Sequence, residues 1–201
     1  MGIYIHECTI PEVAMAHAGY TVDDVAFIGR TFDEYCRMFV LAPVELVDET
    51  VLDCPAGPAA FVATAHEFGT DVTGVDVRYD QPAAVLRNVC ASAVADACEE
   101  LERSKKCFSW EYYGSVEDRV SLLRVAYQRF LDDYLAGRTS GRYVCAELPQ
   151  LPFADDWFSP VLSSHFLFLY GDRFSVQFHC QTYLELARVT DREVRVYPSP
   201  V

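Results

Sequence analysis

The sequence predicts an α/β domain built on a doubly wound, mainly parallel sheet of about five strands. Three observations carry that expectation. Short β-branched runs alternate with helical periodicity along most of the chain. Two of those runs, Glu49-Thr-Val-Leu-Asp53 and Asp71-Val-Thr-Gly-Val-Asp76, end in an acid. A Pro/Gly turn, Pro55-Ala-Gly57-Pro58, separates the first run from a helix.

Residues 49–53 form the first clear strand. In the helix expected over 59–68, Pro58 is tolerated at the first turn and Gly69 ends it. The strand over 71–76 completes a βαβ unit within the ~30 residues such units occupy. Residues 82–103 read as a long helix, with Val85, Leu86, Val89, Ala93, Ala97 and Leu101 at steps of three and four. A second amphipathic helix covers 116–135, with Leu123, Tyr127, Phe130 and Tyr134 on one face. Further strands are expected at 142–146, 160–165 and 193–197, and a helix over 176–187. Residues 1–48 make an N-terminal helical segment, in which 31–39 is a capped short helix with Asp33 and Glu34 in its first turn. Residues 104–140 are a helical insertion before the third strand. The aromatic run from Cys107 to Gly114 is expected to staple two helices, with Trp110 and Tyr113 otherwise lining a pocket.

The 201 residues suit one domain, 1–201, with a single core. Thirty acidic residues against 16 basic ones give a net charge of −14, which opposes contact with phosphate backbones and disfavours nucleic acid as a partner. No apolar run approaches the ~20 residues that cross a bilayer, and no basic region precedes an apolar stretch at the N-terminus, so no membrane partner and a cytoplasmic location are expected. The eight cysteines show no C-x-x-C spacing and no clustering with histidine, so no metal site is expected and reduced, packed thiols are.

In open α/β sheets, ligands collect outside the carboxyl ends of the strands. Four such ends carry polar groups here: Asp53, Asp76, Glu147 and the run Ser163-Ser164-His165. Gly57 lies in the tight turn after the first strand, where the backbone can approach a ligand and a helix N-terminus offers free N–H groups. The dinucleotide fingerprint needs three glycines and a pyrophosphate on the helix. This turn has one glycine and begins with a carboxylate, which repels a pyrophosphate and suits an ammonium.

Val51-Leu-Asp-Cys-Pro-Ala-Gly-Pro-Ala59, Val72-Thr-Gly-Val-Asp76, Glu147-Leu-Pro-Gln-Leu-Pro-Phe153 and Val161-Leu-Ser-Ser-His165 together resemble the ordered motifs of the class I S-adenosylmethionine-dependent methyltransferases. The likeness spans about residues 50–197 and implies a Rossmann-like fold. It implies that Asp53, Cys54 and Gly57 lie beside the methionine part of the cofactor, with Asp53 near its amino group. It further implies that Asp76 accepts from the ribose hydroxyls, that Glu147 reaches the adenine amine, that Val77 and Leu148 flank the ring, and that the backbone at Ser163, at the end of the fourth strand, meets the methionine ammonium. The chain departs from the family pattern at Pro55, Ala59 and Ser159-Pro160.

The function expected from this resemblance is methyl transfer from S-adenosylmethionine to a small-molecule acceptor; the alternative is a cofactor-binding or catalytically silent interaction protein of the same fold. Methyl transfer depends mainly on orientation. Where the acceptor must lose a proton, His165 is the best placed candidate base, followed by Tyr170 and His179. The last strand, 193–197, is expected at the sheet edge. That edge implies a truncated form of a longer protein, a partner strand across a homodimer, or cover by Gly2-Ile-Tyr-Ile-His6; truncation, or a naturally short variant whose edge pairs across a homodimer, is favoured.

Overall fold

Neighbouring residues of the first predicted strand go to opposite sides of the sheet, since Val51 belongs to one apolar cluster and Leu52 to another, and both are fully buried. A strand apolar on both faces requires helices on both faces. The computed structural model describes residues 2–4, 25–170 and 173–198. Its six strands are β1 (Gly2–Tyr4), β2 (Thr50–Asp53), β3 (Asp71–Val75), β4 (Tyr143–Val144), β5 (Phe158–Ser164) and β6 (Thr190–Tyr197). They lie in the order β1-β6-β5-β2-β3-β4, every pair parallel. The doubly wound parallel fold is therefore as expected, with one strand more.

Among the described residues five α-helices accompany the sheet: α1 (Phe32–Met38), α2 (Phe61–Glu67), α3 (Ala83–Ser104), α4 (Val116–Thr139) and α5 (Val176–Arg188). One face packs Tyr35 of α1, Phe61 of α2, Leu86 of α3 and Phe130 and Tyr134 of α4. The other packs Leu186 of α5 against Val161, Val189 and Val194. Beyond the sheet, α3 and α4 form a hairpin with an apolar seam of its own, from Val94 and Leu101 to Val120 and Leu123. The aromatic run at its tip is the staple: Trp110 packs on this seam and donates from Nε1 to the Lys105 carbonyl at 2.8 Å. Lower down, α4 belongs to the main core, because a side chain at Gly137 would come within 2.4 Å of the Tyr143 ring.

Strand limits differ from the sequence reading where packing decides them. The strand expected over 142–146 shrinks to two residues because it is an edge paired only with β3. β5 begins two residues early, at Phe158, and the ladder slips between Phe158 and Pro160, where proline cannot donate. β6 is not the edge: Gly2, Ile3 and Tyr4 pair with Glu193, Val194 and Arg195. The favoured closure across a second copy is thus not needed to satisfy β6, because the chain's own first strand takes that place. Ile5 and His6 of that predicted run, like residues 7–24 of the N-terminal segment, lie outside the described residues.

The strand order places β2 between β3 and β5. From β2 the chain winds one way to β3 and β4, then crosses to β5 and winds the other way to β6. The carboxyl ends of β2 and β5 therefore meet at the topological switch point, where such sheets open a crevice.

Candidate functional site

A cleft of about 290 Å³ opens at that crevice. Its floor is the turn after β2, Cys54 to Gly57; its sides are Asp76-Val77-Arg78 after β3, Ala146-Glu147-Leu148 after β4 and Ser164-His165-Phe166 after β5. A strap without regular secondary structure, residues 25–30, lines it as well, with Phe27, Gly29 and Arg30 buried. The strap is pinned to the β2–α2 turn: Ala60 N–H donates to the Arg30 carbonyl at 2.9 Å, and Gly29 lies so close to Pro58 that a Cβ would sit 2.1 Å from the Pro58 oxygen.

Seven of the ten residues singled out from the sequence line this cleft: Cys54, Gly57, Asp76, Val77, Glu147, Leu148 and His165. Asp76 is 8% exposed, and burial raises its carboxyl above the ordinary range against the lowering effect of nearby N–H groups. Its Oδ1 accepts from Arg78 N–H at 2.9 Å and its Oδ2 from Gly57 N–H at 3.2 Å. Gly57 sits at φ 53°, with open space where a Cβ would be, so the turn requires glycine for its backbone angle and not for room. The Tyr79 hydroxyl donates to the Gly57 carbonyl at 2.5 Å and holds the turn from below. Glu147 is exposed at the rim, in a turn closed by Gln150 N–H donating to its carbonyl at 3.0 Å, while Leu148 is buried beside it.

Three of the ten stand elsewhere. Asp53 and Ser163 are fully buried beneath the floor and not in the cleft wall. The direct approach of Asp53 to a ligand is blocked by Tyr35, whose hydroxyl donates to Asp53 Oδ1 at 3.2 Å and which itself lines the cleft. Tyr170 is buried behind the strap, its hydroxyl accepting from Ala26 N–H at 2.9 Å; it braces the strap and does not reach the cleft. His179, the third candidate base, is also outside the cleft wall, with its ring nitrogens 2.9 and 3.0 Å from the carbonyl oxygens of Ser175 and Leu167.

Sequence reasoning missed the strap, Tyr35 and the buried polar hub behind them. Glu34 is 1% exposed; its Oε2 accepts from Thr31 N–H at 2.8 Å in the capping box of α1. Its Oε1 accepts from Arg119 at 2.8 Å and from the Tyr113 hydroxyl at 3.0 Å, and lies 3.8 Å from Arg30 Nε. The Arg119 guanidinium also stacks over the Tyr113 ring, 4.4 Å from its centre. Tyr113 is therefore a structural tie between α1 and α4, outside the cleft wall. Only the capped start of α1, with Glu34 in its first turn, was read from the sequence.

Among the described residues no group of three or more His, Cys, Asp or Glu side chains is arranged to hold a metal ion. Nor is any helix among them long and apolar enough to cross a membrane. No protein-family model matches the sequence, and no solved structure matches it. The chain is similar to an uncharacterized protein of Methanocaldococcus jannaschii, 32% identical over 177 residues that cover 87% of this chain and 78% of that protein.

Proposed function

The chain belongs to one family with this archaeal protein, and we propose that it binds S-adenosylmethionine in the switch-point cleft and transfers its methyl group to a small-molecule acceptor. The observation that carries the reading is Asp76. Its two oxygens are each fixed by one backbone N–H, which leaves further lone pairs on both to accept from neighbouring hydroxyls of a ribose. The donor set suits the cofactor elsewhere too: Glu147 can accept from an adenine amine, Val77 and Leu148 offer apolar surface to its ring, and the floor has no glycine-rich cradle for a pyrophosphate. A cleft of about 290 Å³ is near the lower end of the ~300–1,000 Å³ typical of small-ligand sites.

When bound, the cofactor supplies an activated methyl group on a positively charged sulfur. The chain's own contribution is placement: Asp76 and Glu147 orient, the strap and Phe166 exclude water, and His165 stands at the end of β5 to receive a proton. The test is calorimetry with S-adenosylmethionine, its demethylated product and NAD in parallel. Binding of the first two without NAD is expected; tight NAD binding with no response to the others overturns the reading.

A further inference from the structure

Three phenylalanines line the part of the cleft that the ribose and adenine assignments leave unused. Asp76 and Glu147 follow β3 and β4, on one side of β2 in the sheet; Phe166, Phe174 and Phe178 come from the other side, from the connection after β5 and the first turn of α5. Their rings form a corner. Phe174 lies 4.6 Å from Phe178, tilted by 31°, and 5.0 Å from Phe166, tilted by 50°, while Phe166 and Phe178 meet edge to face at 6.3 Å. All three keep part of their surface exposed. Phe166 and Phe178 also pack on the apolar cluster beneath α5, but Phe174 belongs to none of the three clusters. Core packing therefore accounts for two of the rings and not for the third.

Several ties hold the corner in place. His165 has a left-handed backbone, φ 50°, which a residue with a side chain keeps only where its surroundings impose it, and its N–H donates to the Tyr197 carbonyl at 2.6 Å. The alternation of β5 breaks there, so Ser164, His165 and Phe166 line the cleft in succession. Ser175 Oγ caps α5 by accepting from Phe178 N–H at 3.1 Å. The His179 ring nitrogens stand 2.9 and 3.0 Å from the carbonyl oxygens of Ser175 and Leu167, so whichever nitrogen carries the hydrogen ties the ring to this wall.

We infer that this corner seats the methyl acceptor, and that the acceptor is a small, uncharged aromatic ring bearing a hydroxyl or an amine.

The acceptor role rests on the methyl-transfer reading; the chemical class comes from the wall. A flat ring can lie along one phenylalanine and meet a second edge-on, the two arrangements that aromatic pairs favour. The charged residues lining the cleft are Asp76, Arg78 and Glu147, beyond β2, and Arg30 on the strap, whose Nε lies 3.8 Å from Glu34. After β5 the wall adds only the titratable His165. An anionic acceptor would give up its hydration to rings that offer no hydrogen bond, in a protein of net charge −14. A cationic one would stand beside the positively charged sulfur. A cleft of about 290 Å³, shared with a cofactor, suits one ring and not a fused system. On methylation the acceptor's oxygen or nitrogen gains the carbon bond that sulfur gives up, the electron pair of the broken bond stays on sulfur, and the acceptor's proton leaves to His165 or to water.

Fluorine-19 NMR of 4-fluorophenol, titrated with the full chain, reads this site without any cofactor. Saturable binding is expected, and Phe174→Ala should weaken it by roughly tenfold, equivalent to ~1.4 kcal/mol and within the range of one aromatic contact. Phe174→Leu, which keeps apolar bulk without a ring, should lose several-fold, and Phe174→Tyr should bind as the wild type does. These variants alter no residue of the three apolar clusters, so they are expected to fold. In a second arm the demethylated product of the cofactor is added to saturation, and both ligands should bind together. Displacement of 4-fluorophenol by that product would give the phenylalanines to the cofactor, overturning the inference and leaving the proposed function in place. No binding, unchanged binding in Phe174→Ala or Phe174→Leu, or tighter binding of 4-fluorobenzoate or 4-fluorobenzylammonium would also overturn it. Failure of S-adenosylmethionine and its product to bind, with 4-fluorophenol still held through Phe174, would sink the proposed function and leave a site for an aromatic ring.

Discussion

The backbone N–H of Gly57 donates to Asp76 Oδ2 at 3.2 Å, joining the turn after β2 to the end of β3 across the floor of the cleft. With Arg78 N–H on the other oxygen, the carboxylate cannot rotate, and its free lone pairs point in fixed directions. Asp76→Ala is therefore expected to weaken S-adenosylmethionine binding by roughly 1–3 kcal/mol, the range for losing hydrogen bonds to a charged acceptor. Calorimetry on the folded variant checks this, and an unchanged dissociation constant rules out the ribose assignment.

Gly29→Ala is expected to loosen the strap. Its new Cβ would sit 2.1 Å from the Pro58 carbonyl oxygen, and both sides of that contact are backbone, so the strap must lift. A cost of about 1–3 kcal/mol is the usual penalty for forcing atoms into a packed site. A lower denaturation midpoint together with weaker cofactor binding is the expected pair of results; unchanged binding in a destabilised variant would show that the strap does not help to hold the ligand.

Glu34→Ala removes the shared carboxylate of the hub and leaves the Arg119 charge, 5% exposed, without that partner. Breaking a buried pair from one side costs about 3–5 kcal/mol. Urea denaturation should show that loss, and Glu34→Gln combined with Arg119→Met should recover part of it. A loss below about 1 kcal/mol, the scale of an exposed pair, would show that the hub contributes little.

Asp53 gives a pH dependence of known sign. Its folded-state carboxyl is raised above its unfolded value, so its stabilising effect is complete below the ordinary carboxylate range, near pH ~4, and is lost as pH rises through the raised value. Asp53→Asn is neutral at every pH and its side-chain oxygen can still accept from Tyr35. It is expected to be more stable than the wild type at alkaline pH, with the difference shrinking as pH falls. Parallel stability curves from pH 4 to 9 would contradict a buried, raised carboxyl.

The βαβ unit was legible because both its strands and its turn carry local signals: β-branched runs, acids at strand ends, and Pro58 and Gly57 at the turn. The α3–α4 pair was legible from its period of three and four. The strap was not, since Val25 to Arg30 has neither period and is shaped by where it lands, above the β2–α2 turn. Asp53 was recognised as a strand-end acid, yet its burial depends on Tyr35 arriving from α1, a contact 18 positions away that no local pattern announces. Tyr170 likewise stood near the right strand end, and only the position of Ala26 shows that its hydroxyl is already engaged.

The β1–β6 ladder gives the molecule an order of assembly. Outward from β2, the sheet adds β3 and β4 on one side and β5 and β6 on the other in the sequence in which the chain supplies them. β1 breaks that rule, as the first strand in the chain and the outermost in the sheet. Gly2 meets Glu193 across nearly the whole described length, and three paired residues are a small return for closing so long a loop. Such a pairing forms late, on a scaffold already built, and opens early, like a clasp fastened after the garment is on.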